Sequence, residues 1–216
     1  MLTVEVGGET LELLPQKAVF LPRTRTLLVA DAHFGKAVSF RKLGVPVPRG
    51  TTSTNLALLA ALVEQQQARR IVFLGDFLHS ERSHAASTLG ALARWRAEHA
   101  ALELVLVRGN HDDRAGDPPA SLGFEVVDEP FVDGGLVLCH HPAPQAAGYV
   151  LAGHLHPCVS LGGRAWDHLR LPCFHFGASV GVLPAFGDFT GMHPVRAEPG
   201  DRLYAIADAE VVEVPT

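Results

Sequence analysis

The sequence predicts an α/β fold: a four-layer α/β/β/α sandwich of two mixed sheets flanked by helices. Three observations lead there. In the first half of the 216-residue chain, short apolar runs alternate with amphipathic stretches. In the second half, short runs follow one another with no strong helix between them. Five of the runs end in Asp, Asn or His. Strand, helix, strand alternation gives βαβ units and a parallel sheet. Closely spaced short strands then build a second sheet.

The elements follow in order. Residues 2–6 and 10–14 alternate apolar and polar around Gly7-Gly8, a hairpin signal. Residues 24–30 read as the first strand that leads to a chemical motif. Residues 34–50 carry no helix signal, and Gly44, Pro46 and Pro48 break the chain, so the segment reads as irregular. Thr51, Thr52, Ser53 and Thr54 offer caps for a helix over 55–68, with Leu56, Leu59, Leu62 and Val63 on one face. Residues 71–74 are a strand. Ser83 offers a cap for a helix over 84–100, with Leu89, Leu92, Ala93 and Trp95 near one face. Residues 104–107 are a strand. Residues 125–127, 136–139, 149–152, 173–176, 202–207 and 210–214 then read as a second, largely antiparallel sheet, the last two joined at Asp208-Ala209. No linker interrupts the chain, and 47% hydrophobic content allows a sizeable core, so residues 1–216 are expected to form a single domain.

The strand ends carry the chemistry. Asp31-Ala32-His33 follows the run 27–30, and Gly75-Asp76 follows 71–74. Gly109-Asn110-His111-Asp112 comes just after 104–107, His140 follows 136–139, and Gly153-His154-Leu155-His156 follows 149–152. Open α/β sheets place their sites at the carboxyl ends of strands. Asp31, His33, Asp76, Asn110, His140, His154 and His156 make seven donors, all oxygen or imidazole nitrogen. That is about the number two metal ions need when one carboxylate bridges. The set suits manganese, iron or zinc in an open site; a closed structural zinc site would favour thiolates. Two divalent ions neutralise phosphate oxygens and acidify water, the two obstacles to diester hydrolysis. His111, one residue beyond Asn110, is placed to donate to a phosphate oxygen or to the leaving group.

The pattern D-x-H, GD, GNHD, H, GHxH resembles the calcineurin-like metallophosphoesterase superfamily. The resemblance implies Asp31, His33, Asp76 and His156 on one metal, and Asp76, Asn110, His140 and His154 on the other, with Asp76 bridging. It makes His111 the catalytic histidine and Asp112 its orienting partner. Gly-Asp-Phe-Leu-His-Ser at 75–80, Phe-Arg-Lys-Leu-Gly-Val-Pro-Val-Pro at 40–48 and Leu-Pro-Ala-Phe-Gly-Asp-Phe-Thr-Gly at 183–191 resemble the bacterial DNA-ligase-associated metallophosphoesterases. That narrower resemblance implies a manganese-dependent DNA phosphodiesterase, associated with a ligase, a helicase and an exonuclease. The superfamily often carries an acid three residues after the Asp of GD, where this chain has His79.

Other features complete the reading. A formal charge of −5 looks wrong for a DNA-binding protein, but two divalent ions would offset most of it. Between Arg23 and Arg49 the chain also carries Arg25, Lys36, Arg41 and Lys42 against one acid, Asp31. A basic rim can hold a phosphate backbone without a basic protein overall. Arg41, Lys42, Arg49 and His79 are therefore candidate substrate contacts. His141 points away from His140 in a strand, since neighbours face opposite sides. His175, between two phenylalanines, reads as core; His84, His99 and His168 read as surface or structural, and His193 stays open. Cys139, Cys158 and Cys173 lack metal spacing and read as free thiols. No apolar run reaches a membrane span and no signal-peptide pattern opens the chain, so a cytoplasmic location is expected. The leading reading is a nuclease-type phosphodiesterase acting on single-stranded or flapped DNA. The closest rival is a phosphodiesterase or phosphatase of nucleotides and their derivatives. A protein-binding scaffold of the same fold is the third.

Overall fold

The first sheet has seven strands in sequence order. They are β1 (Leu2–Val6), β2 (Glu9–Leu14), β3 (Ala18–Leu21), β4 (Thr26–Val29), β5 (Arg70–Leu74), β6 (Glu103–Val107) and β7 (Phe124–Val127). The computed structural model that gives this topology describes residues 1–42, 44–45, 47, 50–162 and 168–215. For Lys42, Leu161 and His168 it describes the backbone alone. The first three strands add to the sheet antiparallel, and β4 to β7 run parallel. Registers such as Val29↔Phe73 and Leu74↔Val107 bring the carboxyl ends of β4, β5 and β6 side by side. These central strands are buried on both faces, as continuous Val, Leu and Ile runs require.

The second sheet comprises β8 (Phe131–Asp133), β9 (Leu136–Leu138), β10 (Tyr149–Ala152), β11 (Pro157–Gly162), β12 (His168–Phe176), β13 (Val180–Val182), β14 (His193–Pro194), β15 (Arg202–Ala207) and β16 (Glu210–Val214). Most pairs are antiparallel, but β10 lies parallel between β9 and β13. His140 and His154 follow two of these parallel strands. The inner faces of both sheets meet in one cluster that includes Leu28, Val72, Val105, Leu138, Leu151, Phe174 and Ile206.

Helices α2 (Thr51–Gln66) and α3 (Ala86–Glu98) cover the outer face of the first sheet. Leu56, Leu59, Leu62, Leu92 and Trp95 pack there on Leu27, Phe73 and Leu104. Two mixed sheets flanked by helices thus make the α/β sandwich. Among the described residues no helix follows Leu122, and the outer face of the second sheet carries two small apolar clusters, one around Val137 and Cys139 and one around Cys173 and Leu203.

Several expectations change. Residues 125–127 belong to the first sheet, as β7, and not to the second. The segment 34–50 is not wholly irregular: it holds helix α1 (Lys36–Lys42). At seven residues α1 is too short to show a period; burial of Ala37 and Ser39 and a Ser39–Ser80 hydroxyl contact at 2.8 Å hold it. No side chain caps α2. Gly50, at φ 92°, turns the chain into the helix, and the Thr52 hydroxyl accepts from Gly35 N–H at 3.4 Å. Ser83 does not cap α3 either, since its hydroxyl accepts from Ser80 N–H in the 3₁₀ turn Glu81–His84. Strands β3, β8, β11, β13 and β14 escaped the sequence reading.

Candidate metal centre

Asp31, His33, Asp76, His154 and His156 all sit just beyond a strand end in the left-handed region, at φ between 46° and 71°. A non-glycine residue there costs on the order of 1–3 kcal/mol, and such strain gathers at functional sites. The conformation has a local use. In Asp31-Ala32-His33 and in His154-Leu155-His156 the outer two residues are left-handed and the middle one is not. Each chain leaves its strand in a kinked path that presents two donors. Cross-links between the loops fix the arrangement: His33 N–H donates to Asp76 O at 2.8 Å and Gly153 N–H to His140 O at 3.2 Å.

The motif glycines allow these loops to touch. A Cβ on Gly75, at φ 77°, would stand 2.1 Å from His140 Nδ1. One on Gly153 would stand 2.6 Å from Asp31 Oδ2.

The seven sequence-predicted donors converge. Asp76 Oδ2 lies 3.7 Å from His33 Nε2, while Asp76 Oδ1 lies 3.5 Å from His140 Nε2, so one carboxylate faces two clusters. Asp31 Oδ1 lies 3.4 Å from His156 Nε2 and 3.9 Å from His140 Nδ1. His140 Nδ1 donates to Leu74 O at 3.1 Å, so the neutral ring carries its lone pair on Nε2. That lone pair meets Asn110 Oδ1 at 2.9 Å and His154 Nδ1 at 3.0 Å. Likewise His156 Nδ1 donates to Gly191 O at 3.0 Å, leaving Nε2 toward Asp31. Asp31 Oδ1, His33 Nδ1 and His156 Nε2 are buried with no hydrogen-bond partner. Lone pairs aimed at one another in a buried site repel unless a cation lies among them. The groups Asp31/His33/His156 and Asp31/Asp76/His140 each bring their ligand atoms within 4.8 Å, a donor set that fits divalent metal. Two backbone amides steady the carboxylates: His154 N–H donates to Asp31 Oδ2 and His111 N–H to Asp76 Oδ1, both at 2.9 Å.

His111 opens helix α4 (Asn110–Ala115) at the edge of this cluster. Its Nδ1 donates to the main-chain oxygen of His79 at 2.7 Å, and the two rings stack with centroids 4.8 Å apart. Its Nε2 points inward, 4.0 Å from Asp76 Oδ2. The resemblance implies Asp112 as the partner of this ring; the Nδ1 bond itself goes to His79 O. Asp112 is buried and accepts from Leu78 N–H and Gly109 N–H at 3.1 Å and from Phe77 N–H at 3.3 Å. It ties the loop of Asp76 to the loop of Asn110. Burial lifts its carboxyl to about 6 despite those three donors. Burial, the Lys36 ammonium and His111 press His79 down to about 4, and burial first, then Lys36, depresses His33.

Around the donors the remaining expectations divide. His141 is exposed, and its ring lies 4.7 Å from that of His154, with Nδ1 held by Glu129 at 2.5 Å. His175 is not plain core but pairs with Asp201 at 2.7 Å. His84 is structural, bonded to Ala115 O. Arg23 and Arg25 lie at the amino end of β4, away from the site, and Arg23 is paired with Glu9. Arg41 lies in the last turn of α1 and is exposed. The Lys42 side chain and Arg49 lie outside the described residues.

Sequence reasoning missed three neighbours of the donors and read a fourth, Lys36, only as a charge of the basic rim. Lys36 heads α1 as a half-buried amine; burial lowers its pKa, while Asp31 and Asp76 pull it back up. Glu129 accepts His140 N–H at 2.7 Å and His141 N–H at 2.9 Å. Arg82 and Arg114 line a cleft of about 400 Å³ together with Ser39, His79, Glu81 and His111. One signal could have found Arg114: three residues after His111, it shares a face of α4.

Known proteins resemble the chain to different degrees. Nuclease MPE from Pseudomonas putida is 42% identical, with 99% of each chain covered and a TM-score of 0.87. A protein of unknown function from Aquifex aeolicus, AQ665, is 18% identical over 61% of this chain and 78% of its own, with a TM-score of 0.42. Yfce, a phosphoesterase from E. coli, is 16% identical over 88% of this chain and 97% of its own, also at 0.42. No curated protein matches. The full-length likeness to the nuclease is consistent with the ligase-associated group. Residues 24–158, which carry all seven donors, match the family model described as calcineurin-like phosphoesterase, and the chain belongs to that family of metal-dependent phosphoester hydrolases.

Proposed function

We propose that the protein is a binuclear-metal phosphodiesterase that cuts DNA: a manganese-dependent single-strand endonuclease of DNA repair, acting in the cytoplasm beside a ligase, a helicase and an exonuclease. The observation that carries this reading is the placement of His111. It stands between seven converging donors and an open cleft whose exposed cations are Arg82 and Arg114. An open cationic cleft suits a polymer backbone; a nucleotide-sized substrate would call for a closed pocket that clamps its base or sugar. The 42% identical relative bears the name nuclease, which supports a nucleic-acid substrate. Both sheets contribute donors and share a core cluster, so we read residues 1–216 as one domain.

Asp31, His33, Asp76 and His156 would hold one ion, and Asp76, Asn110, His140 and His154 the other. Divalent ions so held neutralise phosphate oxygens and acidify water. The chain's own residues do the rest. The Asp31 and Asp76 carboxylates are fixed by backbone amides, so their charge is preorganised. His111 donates its Nε2 proton to the leaving oxygen as the P–O bond breaks, a contribution of ~10²–10⁴-fold. Its Nδ1–H stays bonded to His79 O throughout, so the ring that loses the Nε2 proton is already the favoured tautomer.

Circular single-stranded DNA incubated with Mn²⁺ tests the reading, because only an endonuclease can open it. Linear product in wild type and none in Asp76→Ala is expected. Intact circles alongside brisk turnover of nucleotide diesters would favour the small-molecule reading.

A further inference from the structure

The segment from Leu183 to His193 is bound into the site from two sides. Phe186 N–H donates to Ala30 O at 2.8 Å and Gly187 N–H to Asp31 O at 3.1 Å. At its far end Gly191 O accepts from His156 Nδ1, and His193 N–H donates to His156 O at 2.9 Å. Between these anchors the chain exposes Phe189, 53% accessible, with Met192 close by at 39%. Phe189 is held at φ 59°, a conformation a bulky residue rarely adopts and which strains the backbone. Leaving an aromatic ring in water, at a strained position pinned to two metal-site residues, contributes nothing to folding. Phe189, Met192, Thr190, His156 and Lys17 line a cleft of about 150 Å³. Asp188 also lies there, with Lys17 Nζ 3.9 Å from its carboxylate.

This cleft and the one beside His111 flank a single centre. The His33 ring lies 5.0 Å from that of His111 and 5.5 Å from that of His156. One side therefore offers the cations Arg82 and Arg114, and the other an aromatic face. That pairing of charge for phosphate and ring for base is how proteins grip single strands. Duplex bases have both faces covered by their neighbours, so only an unpaired base can lie on Phe189.

We propose that Phe189, backed by Met192, is a stacking platform for an unpaired base next to the cut site, while Arg82 and Arg114 hold the backbone phosphates on the His111 side. This rests on the DNA reading above and names the feature that selects single strands.

The test uses the full chain and an oligodeoxynucleotide with one 2-aminopurine, whose fluorescence falls when an aromatic ring stacks on it. Ca²⁺ replaces Mn²⁺ to slow cleavage. Wild type should quench the single strand and not the blunt duplex. Phe189→Ala should lose the quench and bind roughly five- to hundredfold more weakly, and Phe189→Trp should restore both. Arg82→Ser with Arg114→Ser should keep the quench and flatten the salt dependence of binding, by about 0.7 in log–log slope for each phosphate no longer neutralised. If Phe189→Ala folds poorly, Phe189→Leu, which keeps apolar bulk without a ring, serves instead. Wild-type cleavage of single strands with an unaltered quench and affinity in Phe189→Ala or Phe189→Leu would overturn the platform and leave the DNA reading standing. No binding or cleavage of single strands by wild type would overturn both.

Discussion

His111 Nδ1 and the main-chain oxygen of His79 are 2.7 Å apart, and a carbonyl can only accept, so His111 is locked with its Nε2 toward the metal donors. The hydrogen bond ties His111, the proposed acid, to the loop after Asp76 without using a carboxylate. His111→Ala should therefore retain both metals, measured by elemental analysis, while turnover of alkyl phosphodiesters falls ~10²-fold or more. Bis-p-nitrophenyl phosphate, whose leaving group needs little protonation, should suffer less. Loss of metal in the variant would reassign His111 as a ligand.

Asp112 gives a different outcome. Its two oxygens accept three backbone amides that join the Asp76 and Asn110 loops. Asp112→Asn puts an NH₂ where one acceptor stood, leaving buried donors facing a donor at about 1–3 kcal/mol. A fall in Tm of roughly 2–12 °C is expected for a chain of this size. An unchanged Tm with a shifted pH–rate profile would return Asp112 to the role of orienting His111.

The division between what was legible and what was not follows from physics. The seven donors could be read because they gather just beyond five apolar runs, and burial makes such runs unmistakable in β4, β5, β6 and β10. The backbone that aims them could not: left-handed φ at Asp31, His33, Asp76, His154 and His156 is only weakly signalled by residue type, since Asp and His adopt it more often than most but still rarely. Helix α1 was hidden by its length, and β7 reads as a strand but of the wrong sheet, because a partly buried four-residue strand fits either one. The resemblance pairs Asp112 with His111, but the three amides that Asp112 accepts could not be read from the sequence, because they belong to a loop 34–35 residues away and to its own turn. Charges cluster in 34–50 and suggest a rim there; Arg82 and Arg114 come together from a 3₁₀ turn and α4 and form no run in the sequence.

The cysteines offer a simple check on the core. Cys139, Cys158 and Cys173 are buried free thiols. Burial pushes Cys139 up to about 11 and Cys173 to about 12, and raises Cys158 as well. The thiolate is the reactive form. A thiol reagent at pH 8 should label none in the native protein and three after denaturation. Rapid native labelling of Cys139 would mean that the strand carrying it opens.

Gly75→Ala probes how tightly the two sheets meet. The added Cβ would fall 2.1 Å from His140 Nδ1 and would have to occupy φ 77°. His140 must move, and with it the Nε2 that faces Asn110 and His154. The variant should bind less metal, lose most activity and melt lower. Retained activity would show that the strand ends are looser than these distances indicate.

Metal removal tests the centre as a whole. Asp31 Oδ1, His33 Nδ1 and His156 Nε2 are buried without partners, so the folded chain alone carries uncompensated polar atoms at this spot. Ions that bind the folded chain and not the unfolded one stabilise it by about 2.7 kcal/mol per site at a hundredfold excess over Kd. For a chain of this length that is roughly 5–10 °C in Tm for each site. Chelation should abolish turnover and lower Tm by an amount that two sites can explain. Asp76→Ala should reduce the occupancy of both ions at once, since its two oxygens face His33 and His140 separately. The same loss should not follow from His156→Ala, which faces Asp31 on one side only and should spare the ion held by Asn110, His140 and His154. Elemental analysis giving one ion per wild-type chain, or two in Asp76→Ala, would overturn the shared-carboxylate arrangement.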